Sequence, residues 1–283
     1  MKIKGSTNIV GLIGHPVEHS FSPPMHNAAF DKLGMDYAYV AFDVDPQDLK
    51  SAIEGAKSLN IKGFNVTIPH KIEVMQYLDE IDEIAGLIGA VNTIDFGDLK
   101  GYNTDGIGAV KAIEEVTSIK NKNVVVAGAG GASRAISFYL AKYGAESITL
   151  LNRNVEKAQS LANDISASAL IDDVKADSIS EISSYLGNSD ILVDTTPIGM
   201  HPNIDDEPIA KAEDMHEDLV VFDAVYNPNE TVLIKEAIKA GSKPVYGIKM
   251  LLYQGAESFK IWTGRDAPVD EMETALKDTL NLE

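Results

Sequence analysis

The chain has 283 residues, 45% of them hydrophobic and 24% charged, an ordinary soluble globular composition on a chain long enough for two domains. Acidic side chains outnumber basic ones by 43 to 24, a formal net charge of −19, which argues against nucleic-acid or anionic-membrane partners because both demand clustered Lys and Arg. The absence of cysteine excludes disulfides, thiolate metal sites and a cysteine nucleophile, and fits a reducing compartment.

At the amino terminus, MKIKGSTNIVGLIGHP carries two lysines and then an apolar run. The run is too short for a secretory h-region and no A-x-A-like site follows, so it reads as a first buried strand. No stretch approaches the roughly 18 consecutive apolar residues of a membrane span. The expected setting is the cytoplasm, the expected partner a small molecule, and the expected state a monomer or homodimer. Strand patterns at Asn8–Ile13, Tyr37–Phe42, Gly63–Ile68 and Val91–Phe96 alternate with helical ones at Pro24–Leu33, Pro46–Leu59 and Lys71–Leu78. A second series follows, with short apolar runs at Val124–Ala127, Ser147–Leu151, Ile191–Asp194, Leu219–Phe222 and Pro244–Tyr246. Helical patterns at Ala132–Tyr143, Val155–Ile165 and Thr231–Ala240 lie between them. Continuous apolar runs suit parallel strands covered on both faces, and the alternation predicts α/β architecture. The acidic stretch IDDVKADS, residues 171–178, reads as solvated surface. The two series meet near Asn103–Val116, where a helix links them. Helical patterns at 248–263 and Pro268–Leu280 have no strand to follow, so they are expected to pack back onto the first domain.

VVVAGAGGASRAI, residues 124–136, is the most specific local signal. A hydrophobic strand runs into Gly128, Gly130 and Gly131 and then into a helix, with Ala129 and Ala132 in the same turn. Glycines let the backbone turn tightly and approach a pyrophosphate, and the helix amino terminus offers free N–H groups. The third small position of G-x-G-x-x-G falls on Ser133. The next strand ends in LLNRN, where an NAD site usually has an acidic residue roughly 20 positions beyond the glycines. Asn152 and Arg153 stand there instead, with Lys157 one helical turn on. A guanidinium suits a 2′-phosphate and stacks on adenine, so the expected cofactor is NADP. The plain alternative is that Arg153 opens a solvated helix.

NVTIPHKIEV, residues 65–74, places Lys71 just past a strand that Pro69 stops. In GHPVEHSFSPPMHN, residues 14–27, Ser20 and Ser22 precede Pro23 on an extended segment; they suit either a ligand or the cap of the next helix. His15 and His19 are four apart, but Pro16 disrupts the helix that would align them, so no metal is expected. Asp105, in GYNTDGIG, suits a cap equally well. Asn92 in AVNTI and Gln254 in an apolar helix complete a polar set.

Taken together these blocks resemble the shikimate dehydrogenase family over nearly the whole chain. HSFSPPMHN, NVTIPHK, AGLIGAVNTI, GYNTDGIG, GAGGASRA, NRN, DAVYNP and GIKMLLYQGA match its motifs in order. The resemblance implies NADPH-dependent reduction of 3-dehydroshikimate to shikimate in aromatic amino-acid biosynthesis. It implies an N-terminal α/β substrate domain, residues 1–104 rejoined by 248–283, and a Rossmann-type doubly wound dinucleotide-binding domain, residues 105–247, with a cleft between them. By motif position Lys71 and Asp105 correspond to the catalytic pair, and Ser20, Ser22, Asn65, Thr67, Asn92, Tyr226 and Gln254 to substrate contacts. We group Gly247 with the cofactor positions; it is also a hinge candidate, with Gly101, Gly106 and Gly108. The rival expectations are an NAD-using quinate/shikimate dehydrogenase and a non-catalytic NADP-binding redox sensor. A hydrolase is disfavoured, since no G-x-S-x-G elbow stands out.

Overall fold

The computed structural model describes residues 2–280 and 282; positions 1, 281 and 283, which the expected domain limits include, lie outside the described residues. The chain divides into two compact units, one ending at Thr104 and resuming at Leu252, the other running from Asp105 to Leu251.

The first unit contains β1 (Asn8–Gly14), α1 (Ser22–Lys32), β2 (Tyr37–Asp43), α2 (Leu49–Ser58), β3 (Gly63–Val66), β4 (Glu80–Ile81), α3 (Glu83–Ile88), β5 (Thr93–Asp95) and β6 (Lys100–Tyr102). Its sheet has the order β2-β1-β3-β5-β6-β4. β1 pairs in parallel with β2 and β3, and β5 runs antiparallel to β3 and β6. Leu49 and Ile53 of α2 pack against Ile13, Phe64, Val66 and Ile94 of the sheet, all with little or no exposure. The chain's last two helices also pack on this unit. Phe259 stacks on Phe30 of α1 at 5.1 Å between ring centroids, and the buried Trp262 donates Nε1–H to the Ile94 carbonyl at 3.0 Å.

The second unit contains α4 (Asp105–Glu114), β7 (Asn123–Ala127), α5 (Gly131–Lys142), β8 (Ser147–Asn152), α6 (Val155–Ala167), β9 (Asp173–Ser178), α7 (Ile182–Leu186), β10 (Ile191–Asp194), β11 (Val220–Asp223), α8 (Val232–Ala240) and β12 (Lys243–Val245). The chain then runs through α9 (Gly247–Thr263), which spans the boundary at Leu252, to α10 (Val269–Leu280). The order β12-β11-β10-β7-β8-β9 is parallel throughout. Counted from β7 this is 3-2-1-4-5-6, the doubly wound dinucleotide-binding order, whose direction reverses between β7 and β10.

Three local expectations change. Lys71–Leu78 is not an α-helix: the chain turns through residue 72 and forms a 3-10 segment at Glu73–Tyr77, because Leu78 is already extended on the way into β4. IDDVKADS is not merely solvated surface: its last six residues are the edge strand β9, paired with β8. Charged side chains on an edge strand protect it from pairing with other chains. Val91–Phe96 shortens to β5, three residues long.

Candidate cofactor and substrate sites

At the reversal point the carboxyl ends of β7 and β10 part, and a cleft of about 420 Å³ opens there. Its floor is the glycine turn. Gly128 has φ +105°, and a side chain there would start 2.3 Å from Thr195 Oγ1, so only glycine fits. The Gly128 N–H is held by the Leu151 carbonyl at 2.8 Å. Ser133 is fully buried and donates its hydroxyl to the Gly128 carbonyl at 2.8 Å; the departure from a third glycine is thus a hydrogen bond that fixes the turn. α5 begins at Gly131 with no side-chain cap and no acidic residue in its first turn. Its leading N–H groups are therefore available to an anion.

At the rim, the end of β8 is tied down twice. Asn152 donates to the Asn154 carbonyl at 2.9 Å, and Asn154 caps α6 by accepting the Lys157 N–H at 2.9 Å. This presents Arg153 and Lys157, both exposed, at the cleft. The donor set fits a phosphorylated dinucleotide: amides for a pyrophosphate, then two cations where a 2′-phosphate would lie. Of the expected cofactor positions, Gly128, Ala129, Gly130, Asn152, Arg153 and Lys157 line this cleft. Gly131 and Ala132 lie in the helix start beneath it. Gly247 stands elsewhere, at the head of α9, where a side chain would collide with the Ala224 and Val225 carbonyl oxygens at 2.7 and 2.5 Å. Thr195–Ile198 and Glu207–Ile209 line the cleft too and were not anticipated. The signal for the first was present: Thr-Thr-Pro directly follows the apolar run Ile191–Asp194, on a strand that must neighbour the glycine strand. The second had none.

Beside this cleft two carboxylates are buried together. Asp194 and Asp223 are opposite each other in the β10–β11 register and are 1% and 0% exposed. Burial, joined by the repulsion of Asp223, pushes Asp194 up to about 8, and burial raises Asp223 to about 6.

In the first unit, the turn after β3 carries Lys71, half-buried. Its carbonyl accepts the Val91 N–H at 2.8 Å. The preceding His70 is 1% exposed and donates Nε2–H to the Val44 carbonyl at 2.8 Å. Thr67 precedes this turn, half-buried. Neither loop serine is the α1 cap, a position that falls on Phe21; Ser20 Oγ accepts the Ser22 N–H at 3.2 Å, and Ser22 is buried. Asn65, Asn92 and Gln254 are buried as well. The Tyr39 hydroxyl, which burial keeps protonated, donates to Asn65 Oδ1 at 2.8 Å. Asn92 Oδ1 accepts the Thr104 N–H at 2.7 Å. In the second unit Asp105 opens α4, half-buried, and burial raises the Tyr226 hydroxyl.

Family models match in chain order: a shikimate dehydrogenase substrate binding domain over residues 12–94, a shikimate/quinate 5-dehydrogenase over residues 110–232, and a shikimate 5′-dehydrogenase C-terminal domain over residues 247–277. The chain is 72% identical over 280 residues to a shikimate dehydrogenase (NADP(+)) of Methanobrevibacter smithii, covering 99% of this chain and 100% of that one. A crystal structure of shikimate dehydrogenase in complex with NADP+ superposes with a TM-score of 0.92 at 54% identity, over 99% of this chain and 98% of that one. A shikimate 5-dehydrogenase from Listeria monocytogenes, solved with shikimate and NAD, superposes at 0.93 with 36% identity over 98% of each chain.

Proposed function

The chain belongs to the shikimate dehydrogenase family, and we propose that it interconverts 3-dehydroshikimate and shikimate with NADP(H), a step of aromatic amino-acid biosynthesis. The observation that carries the cofactor choice is the cleft at the β7–β10 reversal, where Arg153 and Lys157 occupy the place an NAD site gives to an acid. The reaction and the substrate come from the likeness to NADP-dependent relatives along the full chain. We assign the substrate to the unit that ends at Thr104 and resumes at Leu252, and the cofactor to Asp105–Leu251. No described helix is long and apolar enough to cross a membrane; the cytoplasm, and a monomer or homodimer, are part of the proposal.

Bound NADPH supplies a hydride to the ketone carbon. The chain's own residues must then manage one proton and one orientation. The Lys71 ammonium is assigned as the donor to the ketone oxygen as it gains negative charge, and in reverse its amine takes the hydroxyl proton. Asp105 is assigned as the carboxylate that keeps this ammonium charged and oriented. Ser20 and Ser22 donate to the substrate carboxylate without adding a charge. Asn65, Thr67, Asn92, Tyr226 and Gln254 take the ring hydroxyls. A site that pairs each hydroxyl rejects analogues lacking one, because its own buried groups are then left unpaired.

The direct test follows reduced nicotinamide by absorbance while the purified protein is given shikimate with NADP or with NAD. Turnover with NADP is expected, at higher kcat/KM than with NAD; no shikimate oxidation with either coenzyme overturns the assignment. Arg153→Ala is expected to raise KM for NADP by roughly 10- to 100-fold, the worth of a charge-assisted hydrogen bond, and to change NAD use far less. Equal losses with both coenzymes would make Arg153 an adenine-stacking or structural residue.

A further inference from the structure

We propose that Ser258, one helical turn beyond Gln254 on α9, is a positioning residue that holds the Asn65 amide with its oxygen as the group read by the substrate; this rests on the assignment of Asn65 to that substrate.

A serine inside an apolar, fully buried helix face is a poor choice on propensity alone, and a buried hydroxyl is costly unless it is bonded. Ser258 is 0% exposed, as is Thr93, and Thr104 is 2% exposed. Its hydroxyl meets four groups. It accepts Asn65 Nδ2–H at 2.9 Å, shares its one proton between Thr93 Oγ1 at 2.8 Å and the Gln254 carbonyl at 3.0 Å, and stands 3.2 Å from Thr104 Oγ1. One side chain thus ties helix α9 to β3, to β5 and to the segment entering α4.

Following the protons fixes both amides. Asn65 Oδ1 receives the Tyr39 hydroxyl. Its Nδ2 hydrogens go to Ser258 Oγ and, at 3.1 Å, to Thr93 Oγ1. Both of its donors are therefore used within the network, and what Asn65 offers a ligand is the remaining acceptor capacity of its oxygen. Asn92 is set the opposite way. Its oxygen receives the Thr104 N–H at 2.7 Å and the Thr93 hydroxyl at 3.0 Å. Its Nδ2 donates to Thr104 Oγ1 at 3.0 Å. Facing a polyhydroxylated ring, Asn65 acts as an acceptor toward a hydroxyl that donates, and not as a donor. An amide that flips exchanges those roles with little change of shape. At Asn92 the Thr104 main-chain N–H forbids the flip; at Asn65 Ser258 and Thr93 oppose it, with the Asn92 carbonyl 3.4 Å from Nδ2.

The test is steady-state kinetics of Ser258→Ala, Thr93→Val and Thr93→Ser in the full chain, with shikimate and NADP varied separately. Ser258→Ala is expected to lower kcat/KM for shikimate by roughly 10- to 100-fold, through KM, with KM for NADP within about twofold of the parent. Combined with Asn65→Ala it is expected to add less than about threefold, since the amide it orients is gone. Thr93→Val keeps the volume and is expected to show the same loss, and Thr93→Ser, which restores the hydroxyl, to return within about threefold of the parent. A Ser258→Ala enzyme with unaltered kcat/KM for shikimate overturns the proposal, as do parallel losses for shikimate and NADP. If Ser258→Ala does not fold, the threonine pair decides: a fully active Thr93→Val overturns the proposal, and a loss that Thr93→Ser reverses supports it. A parent enzyme inactive on shikimate fails at the first step, separately from every variant, and takes the proposal with it.

Discussion

Lys71→Ala is expected to lower kcat by roughly 10²- to 10⁴-fold, the worth of a positioned proton donor, while KM for shikimate moves by less than about tenfold. Hydride transfer to a ketone creates an alkoxide, and the variant lacks the proton donor assigned to it. The loss should be chemical and not structural, because main-chain and His70 contacts hold the turn. It is held by the Lys71 carbonyl, which accepts the Val91 N–H, and by the buried His70 ring on the Val44 carbonyl, both at 2.8 Å. A thermal melting temperature close to the parent's is therefore expected. Lys71→Arg sharpens the test: it keeps the charge, but a guanidinium does not give up a proton at neutral pH, so turnover should stay low. Recovery by arginine, or equal damage to kcat and KM, would reassign Lys71 to binding.

What was legible in the sequence divides along a physical line. The glycine turn at 128–131 and the Asn152-Arg153 corner are local: backbone conformation and strand-end chemistry depend on residues a few positions apart. The same holds for the long amphipathic helices and the apolar parallel strands of the second unit. β4 and β6, two and three residues long, exist only because partners elsewhere pair with them, and β9 is a strand because β8 offers an edge. Composition argued for an α-helix at Lys71–Leu78, but the path into β4 leaves room for only a 3-10 turn. Ser258 is the extreme case. It sits 193 positions from Asn65 in the chain, and a serine among apolar residues carries no pattern until the helix has returned to the sheet.

Between pH 6 and pH 9 the protein is expected to lose stability as pH rises, and Asp194→Asn is expected to remove most of that slope. Unfolded, both aspartates ionise near their ordinary value of about 3.9. Folded, burial raises Asp194 to about 8 and Asp223 to about 6, Asp194 further pushed by its neighbour. The native state therefore binds more protons than the unfolded chain from about pH 4 upward, and stability must fall with pH across that window. Below about pH 4 both states are protonated and the penalty vanishes. Each pH unit of mismatch costs about 1.4 kcal/mol per group, so the effect by pH 9 is on the order of a few kcal/mol, enough to shift melting by several degrees. Asparagine still accepts the Thr196 N–H that Asp194 holds at 2.8 Å, and it removes the more strongly raised group, leaving only the burial of Asp223 to act. Melting temperatures of parent and variant followed from pH 6 to pH 9 check this; parallel curves would sink it. The consequence reaches the cleft, because Thr195 and Thr196 line it directly after Asp194. A carboxylate that keeps its proton under an anion site does not repel phosphate, and one that loses it does. KM for NADP should therefore rise with pH more steeply in the parent than in Asp194→Asn.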